Sequence, residues 1–574
     1  MDEYMKEFER WKERDDLEAD IKEALLSMED NDEQIKMAFS SDISFGTAGL
    51  RGIMTAGTNA MNVYTVGRAT QGMADLIKGI DGGAERGVVI AYDCRNNSER
   101  FAKVSAEVLA ANGITTYIFD ALRPTPLLSF SVRELNCIAG INITASHNPS
   151  KYNGYKAYWE DGAQIASEQA AIVVESINKT DIFNGVKRLD FDAAVKEGKI
   201  IVVGKELDEK YLAKVKEQAV FPELFRQTAD SLKVVYTPLY GAGRLLVPEI
   251  LKRCGLKYLY TVESQMEPNG DFPGTPNPNP EFSDVFTEGI KIAEEVKSDL
   301  IIATDPDADR VGIMVRGNDG NFKTLSGNQV GALLLDYIIT AYKENGGIPS
   351  EPYAVKSIVS TELATKICSE NGIKMHNVLT GFKFIGEVIK NYEKEGRGSF
   401  ILGFEESYGY LKGTYARDKD AVVATMLICE MAAYYMQKGM TLYDAVSVLY
   451  ERYGYYLEGV QNIVMDGFDG IEKMKCIMEN LRCNPPKMLG ESEIVSIRDY
   501  KTGIITDLKT GKAESTGLPS SNVLYYVNAK NDVVVVRPSG TEPKLKIYYL
   551  VNGETAEMAE HSLSVCKESM KKYF

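Results

Sequence analysis

Three carboxylates at alternate positions, Asp305, Asp307 and Asp309, follow the apolar run Leu300–Thr304. In extended chain that spacing points all three to one side, and in a loop it lets them wrap a cation. Such hard oxygen donors suit Mg²⁺, which completes its octahedral shell with water or a substrate phosphate. A calcium EF-hand does not fit, because Arg310 stands where the sixth-position glycine belongs and Arg316 where the twelfth-position glutamate belongs. An aspartyl-phosphate enzyme with Asp305 as nucleophile is the other chemistry open to Asp-x-Asp behind a strand. The third aspartate favours the metal.

Three more segments carry chemical groups. Ser146, in Thr144-Ala-Ser-His-Asn-Pro149, follows an apolar run and precedes a proline that discourages helix, so its hydroxyl is held at a strand-end turn. Serine and asparagine also stabilise plain turns, and on this motif by itself a structural role is the better reading. Arg537-Pro-Ser-Gly-Thr-Glu-Pro-Lys544 offers a guanidinium, two hydroxyls and glycine-flanked backbone N–H groups, the ingredients of a phosphate cradle or of an ordinary turn. Gly403-Phe-Glu-Glu-Ser-Tyr-Gly409 sets the acceptor Glu405 near the donor Ser407, a pair suited to sugar hydroxyls. No Walker or Rossmann glycine motif occurs, and three histidines (His147, His376, His561) cannot form an imidazole cluster.

The elements that must position these groups repeat. Val88–Tyr92, a helix from Ser98 to Asn112, a strand from Ile114 to Phe119, a helix after Pro126 and a strand from Ile138 to Thr144 read as a β-α-β-α-β unit. The order recurs from Lys233 to Thr304, with a helix near Leu245–Cys254 and another over Pro280–Val296, and again from Ala354 to Phe404. Each unit's last strand runs into one of the polar motifs. The fold class expected is therefore α/β: three successive mixed-sheet domains plus a C-terminal α+β domain around a central cleft, since ligands collect at the carboxyl ends of such strands. The expected segments are a helical extension over 1–40 and domains over 41–205, 206–324, 325–455 and 456–574. The last carries a hairpin around Lys530-Asn-Asp532 and a terminal helix.

At 574 residues the chain exceeds a single core. A net charge of −17 argues against nucleic acid or an anionic membrane as partner, so an anionic substrate must meet locally placed Arg and Lys. The first residues lack the apolar core of a signal peptide and no run approaches the ~20 apolar residues of a membrane span, so a cytoplasmic protein is expected. The eight scattered cysteines form no C-x-x-C pair and read as reduced, mostly buried thiols.

Taken together the motifs resemble those of the α-D-phosphohexomutase superfamily, the phosphoglucomutases and phosphomannomutases, from Ser44 to the C-terminus. Phe45–Gly52 resembles its N-terminal signature, and Thr144–Pro149, Asp305–Arg310, Glu405–Ser407 and Arg537–Thr541 resemble its phosphoserine, metal, sugar and phosphate loops in order. The resemblance implies that Ser146 carries a phosphoryl group and that Mg²⁺ is held by it with Asp305, Asp307 and Asp309. It implies Arg51 and Lys156 beside the transferring group and Arg310 on the phosphoserine side. Arg537, Ser539, Gly540 and Thr541 would hold the second phosphate, and Thr380, Gly381 and Lys383 would join Glu405 and Ser407 on the sugar. One branch of the family has a histidine after the sugar-loop serine. Here Tyr408 and Gly409 follow instead, and Lys419 in Ala416-Arg-Asp-Lys-Asp420 resembles a lysine of the phosphoglucomutase branch, which makes it the first candidate for proton transfer, with His147 the second. The pattern is closest to the longer bacterial phosphoglucomutases related to phosphopentomutases, with glucose 1,6-bisphosphate as activator and small sugar phosphates as ligands of a monomer or homo-oligomer. Mannose or pentose phosphates are alternative substrates. A non-catalytic sugar-phosphate binder and a phosphatase are the readings of other classes.

Overall fold

The computed structural model describes every residue except 1, 47–48, 466–469 and 540–543. Thr47 and Ala48 of the N-terminal signature, and Gly540 and Thr541 of the phosphate loop, thus lie outside the described residues. The chain forms two compact units. The first comprises Met1–Thr324, Ile389–Asn391 and Gly409–Gly439; the second comprises Leu325–Val388, Tyr392–Tyr408 and Met440–Phe574.

In the first unit a sheet runs in the order Leu50–Ile53, Tyr152–Trp159, Ala139–Ile143, Val88–Tyr92, Thr116–Phe119, Ile200–Val203. Val88–Tyr92 and Ala139–Ile143 are buried throughout, which is why they read as unbroken apolar runs. They pair in parallel, whereas Tyr152–Trp159 turns back antiparallel against Ala139–Ile143. The strand start in the sequence reading, Ile114, is instead a connector, with Thr116 bonding its own loop through Ile114.

A second sheet in this unit passes through Val311–Arg316, Leu300–Thr304, Lys233–Thr237 and Tyr258–Thr261. Thr304 pairs antiparallel with Val311, so residues 305–310 are the loop of a hairpin. The helix expected over Pro280–Val296 is shorter: a 3₁₀ turn over Ser283–Phe286 leads into the α-helix Thr287–Val296.

Residues before 41 form the helices Glu3–Lys12, Ala19–Met28 and Asp32–Phe39. Their apolar faces close over Trp11, fully buried and edge-on to Phe39, Tyr64 and Phe183. Trp11→Ala is expected to cost about 3–5 kcal/mol, the range for emptying a large aromatic site. Limited proteolysis should then cut the first 40 residues well before the rest.

The second unit holds a parallel set, Lys374–Val378, Pro352–Ser357 and Ser399–Glu405, the last flanked by the helix Gly327–Glu344. A Cβ at Gly331 would stand 2.4 Å from the Phe404 ring, so only glycine lets this helix lie so close to the strand. The C-terminal sheet is larger than the sequence reading anticipates. Its order is Tyr455–Val464, Lys544–Gly553, Val533–Pro538, Leu524–Asn528, Ser492–Asp499, Ile504–Asp507, Ala513–Ser515. The expected hairpin is present, with Val527 opposite Val533.

No described helix is long and apolar enough to cross a membrane. All eight cysteines are free, five of them buried; Cys94 is half-buried, and Cys476 and Cys483 are exposed on the helix Gly470–Cys483.

Candidate active site

Ser146 is nearly buried and takes up a left-handed backbone, φ 52°, which costs a non-glycine residue on the order of 1–3 kcal/mol. Its surroundings hold it there. The Ser146 N–H donates to Thr144 Oγ1 (2.8 Å), and Thr144 Oγ1 donates to Asp93 Oδ2 (2.6 Å). Asp93 Oδ1 accepts from Ser98 Oγ (2.7 Å) and from the Arg95 N–H (2.9 Å). The buried Arg95 guanidinium donates to the carbonyls of Ser146 (2.5 Å), Asn148, Pro149 (3.0 Å) and Tyr152 (3.1 Å), and lies over Phe272 at 5.0 Å. Left-handed non-glycine residues recur in the other two motifs, at Ala308 and Tyr408.

The Ser146 hydroxyl donates to Asp305 Oδ2 (2.7 Å) and lies 3.1 Å from His147 Nδ1. Burial first, then the Arg310 and Arg51 cations, hold the His147 imidazole well below its usual range, so it is neutral near pH 7. Arg51 Nη1 donates to Asn148 Oδ1 (2.9 Å).

The aspartates converge as their spacing predicts: one oxygen from each of Asp305, Asp307 and Asp309 lies within 4.8 Å of the others, and all three side chains are buried. Asp305 Oδ1 caps its own loop, accepting the N–H groups of Asp309 (3.1 Å) and Arg310 (3.0 Å). Asp307 Oδ2 accepts from Thr125 Oγ1 (2.7 Å) and Lys156 Nζ (2.7 Å). Asp309 Oδ2 lies 3.1 Å from Lys419 Nζ and 3.4 Å from Lys156 Nζ. Burial raises Asp305, and Asp307 and Asp309 push it further the same way; at Asp307 burial acts upward too, but the Lys156 cation and the hydrogen bonds on the carboxylate together outweigh it and hold the carboxyl well below its ordinary range. Asp307 Oδ1 and Asp309 Oδ1 are buried yet accept no hydrogen bond from any described residue. Buried acceptors of this kind demand a partner. Arg310 Nε stands 3.9 Å from Asp309 Oδ1, too far to hydrogen-bond it, and an all-oxygen donor set with two such oxygens fits a hard divalent cation, which Asp305, Asp307 and Asp309 would hold.

Sheet register explains how Lys156 and Arg51 arrive. Lys156 pairs with Asn142, Arg51 with Gly154 and Tyr158 with Gly140, positions that share one face of the sheet. From that face Lys156 reaches Asp307, and Tyr158 donates to Asp418 (2.7 Å). Asp418 in turn lies 3.0 Å from Lys419 Nζ. Arg310 reaches Glu281 (3.3 Å).

The second unit carries the remaining residues. Glu405 Oε1 accepts the Gly381 N–H (2.7 Å), tying the strand end to the Thr380-Gly-Phe-Lys383 turn, where burial lowers the Lys383 ammonium. Glu406 accepts from Ser357 (3.0 Å). Ser539 N donates to Lys544 O (2.8 Å), closing the base of the phosphate loop. The Tyr548 phenol links the two motifs: burial raises it first, the Glu406 carboxylate adds to this, and Arg537 opposes it through charge and a hydrogen bond.

Among the residues of this network to which the sequence reading gives no role are Asp93, Arg95, Thr125, Asn142, Tyr158 and Asp418. For the first two a signal existed, because Asp93-Cys94-Arg95 stands directly behind the apolar strand Val88–Tyr92, just as the other motifs stand behind theirs.

Repeated α/β sheets with a buried serine hydroxyl on a strand-end carboxylate triad define a protein equipped to handle a phosphoryl group beside a hard cation. Residues 42–182, 209–320 and 326–453 match the alpha/beta/alpha domains I, II and III of phosphoglucomutase/phosphomannomutase. The phosphoglucomutase of Staphylococcus saprophyticus is 36% identical over 527 residues, covering 92% of this chain and 93% of its own. That of Staphylococcus aureus is 34% identical over 525 residues, covering 90% and 91%. Among solved structures, the open form of pp63/parafusin, a phosphoglucomutase from Paramecium, superposes with a TM-score of 0.68 at 18% identity, over 93% of this chain and 95% of that one. A phosphoglucomutase/phosphomannomutase family protein from Burkholderia thailandensis gives 0.65 at 16%, over 92% and 98%. The chain belongs to the phosphoglucomutase/phosphomannomutase family.

Proposed function

We propose that this chain is a phosphoglucomutase, an isomerase that interconverts glucose 1-phosphate and glucose 6-phosphate through a phosphoserine at Ser146 and a sugar bisphosphate. The observation that carries the reading is the Ser146 hydroxyl on Asp305 at 2.7 Å, inside a carboxylate triad with two buried oxygens that accept no hydrogen bond from a described residue, in a chain 34–36% identical to phosphoglucomutases over nine-tenths of its length. In the first half-reaction the Oγ–P bond of phosphoserine 146 breaks as a P–O bond forms to the free hydroxyl of the sugar monophosphate. The second half-reaction returns the other phosphoryl group to Ser146. Bound Mg²⁺ would supply charge neutralisation to the group in transit.

The chain's own residues do the rest. Lys156 and Arg51 face the transferring group, and Arg310 steadies the serine side. Arg537 and Ser539, with Gly540 and Thr541, hold the phosphate that does not react. Glu405, Ser407 and the Thr380–Lys383 turn orient the ring, and Lys419 moves the hydroxyl proton. His147, neutral and against Ser146 Oγ, fits a local role at the carrier better than exchange with the sugar. Glucose 1,6-bisphosphate would restore a dephosphorylated chain, and a cytoplasmic sugar-phosphate pool would supply the substrate.

The test is a panel of glucose, mannose and ribose 1-phosphates ranked by kcat/KM, with and without Mg²⁺ and the bisphosphate, with released phosphate measured in parallel. We expect glucose 1-phosphate to rank first, chelation to abolish turnover and Mg²⁺ to restore it. A higher rank for mannose or ribose 1-phosphate would overturn the glucose assignment. Phosphate release without isomerisation would make the chain a phosphatase, and no turnover at all would make it a binder.

A further inference from the structure

Thr125 stands at the first position of the helix Thr125–Glu134, behind the N-cap Pro124. A threonine there ordinarily faces solvent or bonds its own helix. This one is wholly buried and does neither. Its N–H donates to the Asp307 carbonyl (2.9 Å) and its Oγ1 donates to Asp307 Oδ2 (2.7 Å). The same Oγ1 accepts from Asn142 Nδ2 (2.6 Å).

Asn142 is the more telling residue. It lies in the middle of the buried strand Ala139–Ile143, between apolar neighbours, with no exposure to water. Its Oδ1 accepts no hydrogen bond from a described residue. A half-satisfied amide at such a position is destabilising, and an apolar side chain would remove that cost. The other half, Nδ2, has one service in the structure. By occupying the Thr125 oxygen as a donor, it leaves the hydroxyl proton to point at Asp307, since a hydroxyl carries a single proton.

The consequence falls on Asp307. With Thr125 and Lys156 both on Oδ2, that oxygen is engaged, and of the Asp307 carboxylate Oδ1 is the oxygen left without a hydrogen bond from a described residue. Lys156 and Asn142 are cross-strand partners, so one pair of positions on one sheet face fixes Asp307 twice, once directly and once through Thr125. We propose that Asn142 and Thr125 are positioning residues that set the rotation of the Asp307 carboxylate and so present Oδ1 to the divalent cation. This rests on the reading of the triad as the Mg²⁺ site.

The test is Mg²⁺ binding to the purified full-length chain by titration calorimetry, beside the Mg²⁺ dependence of turnover. Outer partners of metal ligands typically govern affinity by about 10–100-fold. Thr125→Val keeps the shape and the backbone bond to Asp307 but loses the hydroxyl, and its Mg²⁺ dissociation constant is expected to rise by that factor. Thr125→Ser should recover to within a few-fold of wild type. Asn142→Asp is nearly isosteric but replaces the donor by an acceptor, which competes for the Thr125 proton, and it should weaken Mg²⁺ in the same direction. Should Thr125→Val fail to fold by circular dichroism, Asn142→Asp decides. Wild-type Mg²⁺ affinity in the folded variants would overturn the proposal, even if turnover fell. Absence of Mg²⁺ binding by the wild-type chain would instead overturn the metal-site reading, and this inference with it.

Discussion

Ser146→Ala is expected to abolish sugar-phosphate isomerisation, by roughly 10⁴-fold or more, and to remove a mass increment of ~80 Da, one phosphate, from the purified chain. The argument is geometric. Ser146 places its hydroxyl on Asp305 of the triad, and its backbone is kept in a costly left-handed conformation by Thr144, Asp93 and the Arg95 clamp on the loop carbonyls. A plain turn serine would have no need of a buried guanidinium spending its donors on that one loop. A loss of 10⁴ corresponds to about 5 kcal/mol of barrier, far more than an incidental hydroxyl contributes. Alanine fits the space, so unfolding is not the expected cause, and a thermal midpoint close to wild type should accompany the loss. Retained turnover, or a phosphate that persists on the Ser146→Ala chain, would sink the carrier role.

What was legible in the sequence follows from how local the signals were. Leu300–Thr304 and Ala139–Ile143 are buried on both faces, so their apolar runs could be read directly, and so could the polar motifs that end them. The triad's convergence was legible for the same reason, because it lies within one hairpin loop closed by the Thr304–Val311 pair. Asn142 was not, since one asparagine inside an apolar strand gives no periodic signal. Its meaning appears only when register sets it opposite Lys156 and tertiary packing brings Thr125 beside it. Tyr455–Val464 escaped for a different reason. It alternates between half-buried and exposed along much of its length, and its pairing partner Lys544–Gly553 lies some ninety positions away. The chemistry-bearing cations Lys156 and Lys419 reach their carboxylates from distant segments, so motif resemblance could suggest them where spacing alone could not.

Lys419 carries the other large expectation. Its ammonium is nearly buried between Asp309 (3.1 Å) and Asp418 (3.0 Å), with the Tyr158 hydroxyl completing Asp418 from the far side. It thus touches the triad through Asp309 while remaining outside the set of oxygens that would hold the cation. Phosphoryl transfer through a loose transition state moves the hydroxyl proton late, so a group beside the acceptor oxygen can act as cation first and as proton partner afterwards. Lys419→Met removes both functions and is expected to lower kcat by about 10²-fold or more. Lys419→Arg separates them: the guanidinium keeps the charge on Asp309 and Asp418 but does not release a proton in the working range. If Lys419 moves the proton, Arg should stay within about tenfold of Met while phosphoserine at position 146 still forms from the bisphosphate. Recovery of kcat by Arg would reduce Lys419 to an electrostatic support for Asp309. A rise in KM with kcat unchanged in Lys419→Met would assign it to substrate binding, and the proton would then have to pass through another group at this end of the triad, of which Asp418 is the nearest.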